Sequence, residues 1–346
     1  MSDSLSVNTP THMRREIEEI PDAVRRLLAE AQPEIGKIAS AAGSPVFLAS
    51  VARGSSDHAA MFLKYASEIY LGLAMASLGP SVSSVYGGKV QLAKALVVAI
   101  SQSGASPDIL SVVESAAKQG ATAIGLTNTA GSPLARLSTA TIDICAGVEQ
   151  SVAATKTYVN SVIAGLMLLA EIGNDAELAR ALEAVPSHLE KAIETDWSIL
   201  ADPIERRGSL YVVGRGPGLA VANEAALKFK ETCQIHAEAY SSAEVLHGPV
   251  SIVEDGYPVL VLGVRDAAEA GLAQTADRMA AQGGVVFATT DKVERASRLE
   301  FEAAQHPLTD AITQIVSFYA FIEWFARRRG FNPDVPRHLK KVTQTV

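Results

Sequence analysis

Lys228, Glu231 and His247 are residue types, at a spacing, suited to proton transfer. Lys228 and Glu231 stand three apart in a helical pattern, so they share one face. His247 opens a Gly248-Pro249 turn, where an imidazole projects freely. A carboxylate that gives and takes a proton beside a fixed cation is the apparatus of general acid–base chemistry. A Glu/Lys pair on an arbitrary helix is ordinarily only a solvated ion pair. This one follows the Arg215-Gly216 turn, which sets the helix close to strand ends where ligands collect.

A second cluster suits an anion. Ser101, Gln102, Ser103 and Ser106 follow the apolar run Leu96-Val-Val-Ala-Ile100 and lead through Pro107 into a helical pattern. Ser106 is a good N-cap and Pro107 a good first helical residue, so the loop ends on free N–H groups with partial positive charge. The bland reading is a polar capping turn; the position after a strand favours a phosphate cradle. Ser55 and Ser56, after Arg53-Gly54, add a weaker pair of the same kind.

Other candidates fall to blander readings. Gly214-Arg-Gly-Pro-Gly218 lacks the G-x-G-x-x-G spacing and the later acidic residue of a dinucleotide fingerprint. His236, Glu238 and His247 match no zinc spacing, so no metal or other cofactor is expected. By patterning alone Lys341 is a surface lysine.

These residues sit on a repeated scaffold. The run 46–54 and the run 210–216 both end in Arg-Gly, and their glycines, Gly54 and Gly216, are 162 positions apart. The strand pattern at 96–100 is answered at 259–263, and that at 123–127 by 285–289. Three matched strands predict a tandem duplication of one α/β domain, each a doubly wound, mostly parallel and flavodoxin-like sheet flanked by helices. The expected organisation is a helical lead-in over 1–40, a first domain over 41–184, a second over 185–329, and an extended tail over 330–346.

Composition sets the limits. The 346 residues are 48% hydrophobic and 20% charged, enough for a large core, and the net charge of −8 disfavours nucleic acid as a partner. Cys145 and Cys233 are the only cysteines. They predict buried structural thiols in a reducing compartment. With no secretory leader or long apolar run, the expected location is the cytoplasm, without a membrane partner.

Together, Ser101-Gln-Ser-Gly104, Val152-Ala-Ala-Thr-Lys156, residues 224–231, 236–240 and 244–249, and Pro336-Arg-His-Leu-Lys-Lys-Val-Thr343 resemble the isomerase half of glucosamine-6-phosphate synthase, a pair of sugar isomerase (SIS) domains. The match covers nearly the whole chain. It implies two tandem SIS domains and a hexose or hexosamine 6-phosphate as ligand. Ser55, Ser56, Ser101, Gln102, Ser103 and Ser106, with Val152 and Ala153, would hold the phosphate and nearby hydroxyls. Glu231 would move the proton between C1 and C2, with Lys228 controlling charge beside it. His247 would open the ring, reaching across from the other subunit of a homodimer. Lys341 would form or favour an imine.

The departures point further. This sequence carries no glutaminase domain, Ala105-Ser106 replace the Glu-Thr of the synthase loop, and Ala154 replaces a serine. The pattern is similar to stand-alone SIS-type glucosamine-6-phosphate deaminases, and a metal-independent deaminase is the expectation. Another phosphosugar isomerase or deglycase, and a non-catalytic sugar-phosphate sensor, are the alternatives.

Overall fold

The computed structural model describes residues 10–341. Residues 342–346, which include the Val342 and Thr343 of the tail motif, lie outside them. The chain divides into two compact units, one built from residues 21–148 and 156–186, the other from the stretch up to Ile20 with residues 149–155 and 187–341.

The first unit holds a five-stranded sheet of β1 (Phe47–Val51), β2 (Met75–Ser77), β3 (Ala95–Ile100), β4 (Thr122–Thr127) and β5 (Ala140–Asp143), in the order β2-β1-β3-β4-β5 and parallel throughout. The central strand β3 is buried along its length. That is why it reads as an unbroken Ala-Leu-Val-Val-Ala-Ile run rather than an alternating one. The second unit holds β6 (Ser209–Gly214), β7 (His236–Ser241), β8 (Pro258–Val261), β9 (Val285–Ala288) and β10 (Ser297–Arg298), ordered β10-β9-β8-β6-β7 and again parallel. Read from the β7 edge, this is the same topology as the first. Both sheets are doubly wound with the switch in strand order between their first and third strands, where ligands of such folds bind.

The lead-in is two helices, His12–Glu18 and Ile20–Ala42, broken at Glu19. Pro21 is the second residue of the latter, where a missing N–H costs nothing. In the second unit the Pro217–Cys233 helix packs on the almost wholly buried Pro307–Arg328 helix. Phe229 meets Phe318 edge-on at 5.2 Å and Phe321 at 6.3 Å. Each such buried ring contributes roughly 1.5–3 kcal/mol, so the helix bearing Lys228 and Glu231 has a fixed seat. Beyond Arg328 the described tail has neither helix nor strand. It is pinned at Asp334, whose carboxylate accepts the N–H groups of His12 and Met13 at 2.7 and 2.8 Å.

Cys233 is buried, and burial pushes its thiol up to about 12. Cys145 departs from the expectation of a buried thiol. It is part-exposed in a left-handed turn after β5, with φ +50°, and its Sγ donates to Glu30 Oε2 at 3.4 Å. Desolvation, with that hydrogen bond and the charge of Asp143, pushes this thiol up to about 12 too.

Candidate functional site

At the switch point of the first sheet, Gly54 leaves β1 with φ +55° and ψ −133°, a conformation suited to glycine, and the Ser55–Ala66 helix begins at once. Ser55 and Ser56 occupy its first turn. Arg53 donates through Nε to the buried Asp108 at 2.7 Å.

The Ser101 to Ser106 loop leaves the adjacent β3. Its backbone is held from within: Ser101 Oγ accepts the Gly104 N–H at 3.2 Å, and the Gln102 carbonyl accepts Thr127 Oγ1 at 3.2 Å and the Asn128 N–H at 3.0 Å. Gly104 has φ +61°, and a Cβ there would lie 2.2 Å from Ser132 Oγ. No other residue fits without moving backbone. Ser103 Oγ accepts the Ala105 N–H at 3.4 Å. Ser106 stands at the N-cap of the Pro107–Lys118 helix, but its hydroxyl makes no cap bond, contrary to the sequence expectation. The Ile109 N–H is taken by Asp108 Oδ1 at 2.9 Å and the Leu110 N–H by the Ser106 carbonyl at 3.0 Å, so it is the Ser106 hydroxyl that is left for an incoming anion.

In the second unit Lys228 is fully buried, 3.1 Å from Glu224 and 2.7 Å from Glu231. Glu224, Lys228 and Glu231 form one stripe of the Pro217–Cys233 helix at i, i+4 and i+7. Burial alone would drive the ammonium towards neutrality; the two carboxylates outweigh it and raise the Lys228 pKa above its ordinary 10.5. Tyr319 donates to Glu224 at 3.0 Å, fixing the inner end of the stripe. Glu224 is wholly buried, whereas the Glu231 side chain keeps 22% exposure. It borders a cavity of about 160 Å³ whose far wall is the tail from Gly330 to Arg337. Glu231 is thus a carboxylate locked to a cation on one side and reachable on the other.

Lys341 is not a free surface lysine. Its ammonium donates to Glu149 Oε2 and to the Ser151 carbonyl, both at 2.7 Å. Glu149 has a fully buried side chain and also accepts the Thr155 N–H at 3.0 Å. The segment bearing Val152 and Ala153 is therefore the one that Lys341 grips. From its other side Glu16 accepts the Ser151 hydroxyl and the Gln150 N–H. His247 ends a 3₁₀ turn, Glu244–His247, followed by Gly248 at φ +149°. It is exposed, as the turn reading predicts.

The structure thus brings Lys228 to Glu231 and Lys341 to the 149–155 segment, and collects Ser101, Gln102, Ser103 and Ser106 in one loop. Glu224, Tyr319, Glu149 and Glu16 were not singled out from sequence. Only Glu224 carries a signal there, its i−4 spacing from Lys228.

Comparison with known proteins places this geometry in a family. The SIS domain model matches residues 48–171 and 204–323, and the chain belongs to that family. Its curated relatives include the glutamine–fructose-6-phosphate aminotransferase [isomerizing] of Pyrobaculum aerophilum, 34% identical over 97% of this chain. The chain spans 58% of that relative's length. Among solved structures, a Silicibacter pomeroyi DSS-3 protein provisionally named a phosphosugar isomerase is 55% identical over 94% of this chain and 100% of its own, with a TM-score of 0.91. The glucosamine-6-phosphate deaminase of Thermotoga maritima shares the fold at TM-score 0.78 and 19% identity, over 97% of this chain and 100% of its own.

Proposed function

We propose that this protein is a homodimeric glucosamine-6-phosphate deaminase, converting glucosamine 6-phosphate and water to fructose 6-phosphate and ammonia. The observation that carries the reading is the buried Glu224–Lys228–Glu231 stripe with its outer carboxylate accessible. The fixed ammonium of Lys228 holds the Glu231 carboxylate in place, and a carboxylate so placed can take a proton from one carbon and return it to the neighbouring one. Kinship with the isomerizing aminotransferases supports a sugar 6-phosphate with nitrogen at C2.

In this scheme the Ser101 to Ser106 loop, with Ser55 and Ser56, takes the phosphate, and Val152 and Ala153 contact nearby hydroxyls. His247, from the other subunit, protonates the ring oxygen as the pyranose opens. Glu231 removes the C2 proton of the open-chain amino-aldose, giving an enolamine, and delivers it to C1. C2 is then an iminium. Water adds to C2, ammonia leaves with the C2–N bond pair, and the ketone of fructose 6-phosphate remains. In the alternative route Lys341 leaves its proton on Glu149, its free amine adds to C2 in place of water, ammonia departs, and water then hydrolyses the resulting C2 imine to the ketone and frees the lysine.

The test supplies glucosamine 6-phosphate to purified protein with chelator present and follows ammonia and fructose 6-phosphate together. Equal yields of both, lost in Glu231→Gln while sugar phosphate still binds, are expected. Turnover at the wild-type rate in that variant would sink the assignment of Glu231. Absence of ammonia with wild-type protein would sink the deaminase reading.

A further inference from the structure

Because the second sheet repeats the topology of the first, it has a switch point of its own, between β6 and β8. A groove of about 530 Å³ opens at that carboxyl edge. Arg215 after β6, Ser242 after β7, Ala267 and Ala268 after β8, and Thr275 and Arg278 of the Glu269–Ala281 helix line it. The volume is that of a small-metabolite pocket.

The charge of this groove differs from that of its counterpart. In the first sheet the turn arginine, Arg53, is neutralised by Asp108. At the repeat offset of 162 or 163 the residue corresponding to Asp108 is Ala270 or Gly271, neither of them acidic. Arg215 meets no carboxylate among the described residues and donates only to Ser241 Oγ, at 2.8 Å. The exposed Arg278 side chain has no ion-pair or hydrogen-bond partner among them. Of the nearby acids, Glu269 pairs with Lys292 at 2.6 Å, and Asp277 accepts N–H groups from Glu294 to Ala296. Asp266 accepts the Ala268 N–H at 2.8 Å through Oδ1, and its Oδ2 faces the Gly216 turn without forming an ion pair with Arg215. Ser242 is only 6% exposed, and its hydroxyl has no hydrogen-bond partner among the described residues. In a chain of net charge −8, two guanidiniums without an ion-pair partner among the described residues, beside an unspent hydroxyl at a switch point, form a cradle for an anion.

We propose that this groove is a second ligand site, which binds a phosphate monoester of small-metabolite size. Arg215 and Arg278 hold the phosphoryl oxygens, and Ser242 donates to a third. The site uses none of the residues assigned to deamination, so the two readings stand or fall separately.

The experiment is calorimetric titration of the full chain at low salt with inorganic phosphate and with fructose 6-phosphate, comparing wild type with Arg278→Glu, Arg215→Gln and Ser103→Ala. Two phosphate-dependent sites per chain are expected in the wild type. Arg278→Glu and Arg215→Gln each weaken one of them by about tenfold or more, as loss of a charge-assisted contact does. Ser103→Ala weakens the other. Arg278→Glu alters an exposed side chain, so its melting temperature and its rate of ammonia release stay at wild-type values. If neither probe shows a site that weakens in both arginine variants, the proposal is overturned, whatever Ser103→Ala does.

Discussion

A buried lysine between two glutamates is the residue-scale feature from which most of the proposed chemistry follows, and it has a pH signature. The Lys228 pKa is raised in the folded protein, so the stability it contributes is fully present below its unfolded value of about 10.5 and is lost as pH rises towards the folded value. Glu224→Gln removes one of the two carboxylates that outweigh desolvation. It should cost about 1–3 kcal/mol at neutral pH and start the alkaline loss of melting temperature at lower pH than in the wild type. Superimposable profiles of melting temperature against pH would show that Glu224 does not hold the ammonium. The Lys341–Glu149 pair makes a separate prediction. Borohydride added during turnover should fix fructose 6-phosphate to Lys341 as a secondary amine, visible by peptide mass, and Lys341→Ala should carry no adduct. At this scale the sequence was half legible. Lys228 and Glu231 declare themselves because helical spacing is local, while Tyr319 lies 95 positions from Glu224, and Glu149 lies 192 from Lys341. No periodicity links such partners; tertiary folding alone does.

Elements turn these residues into a site, and their sequence signals vary with burial. Strands β1, β3, β4, β6, β8 and β9 were readable as apolar runs because both faces of a parallel sheet are covered. Met75–Ser77 and Ser297–Arg298 were not; they are short edge strands with mostly exposed residues, so burial imposes little pattern on them. Ser106 was rightly placed at a helix start, yet its missing cap bond depends on a rotamer that residue type does not dictate. The loop it closes is conformationally committed at Gly104. Gly104→Ala should destabilise the protein by about 2 kcal/mol or more, through positive φ and the collision with Ser132, and weaken binding of fructose 6-phosphate. A melting temperature and affinity at wild-type values would mean that the loop backbone yields easily. Asp334 performs an analogous task for the tail. Asp334→Ala removes two bonds to the first turn of the His12–Glu18 helix, at about 0.5–2 kcal/mol, and limited proteolysis should then cut first near residues 330–340.

At the scale of the whole molecule the duplication is the organising fact, and it was visible in sequence because the matched strands keep an offset of 162 or 163. Once copied, an α/β unit has two switch points, and the copies are free to differ: one turn arginine pairs with an aspartate, the other has no ion-pair partner among the described residues. What no single chain specifies is which subunit supplies each group to a reaction, and the proposed contribution of His247 across a dimer can be tested by mixing. Glu231→Gln and His247→Ala variants are each expected to be inactive as homodimers. Unfolded and refolded together in equal amounts, half the dimers are mixed. In a mixed dimer, one site combines the intact Glu231 of one subunit with the intact His247 of the other, while its twin has neither. Isologous two-fold pairing therefore predicts recovery of about a quarter of wild-type activity. If each site takes both groups from a single subunit, the mixture stays dead, because no chain in it carries both. A recovered quarter would establish both the dimer and the shared site, whereas an inactive mixture containing demonstrable heterodimers would assign His247 to its own chain's site.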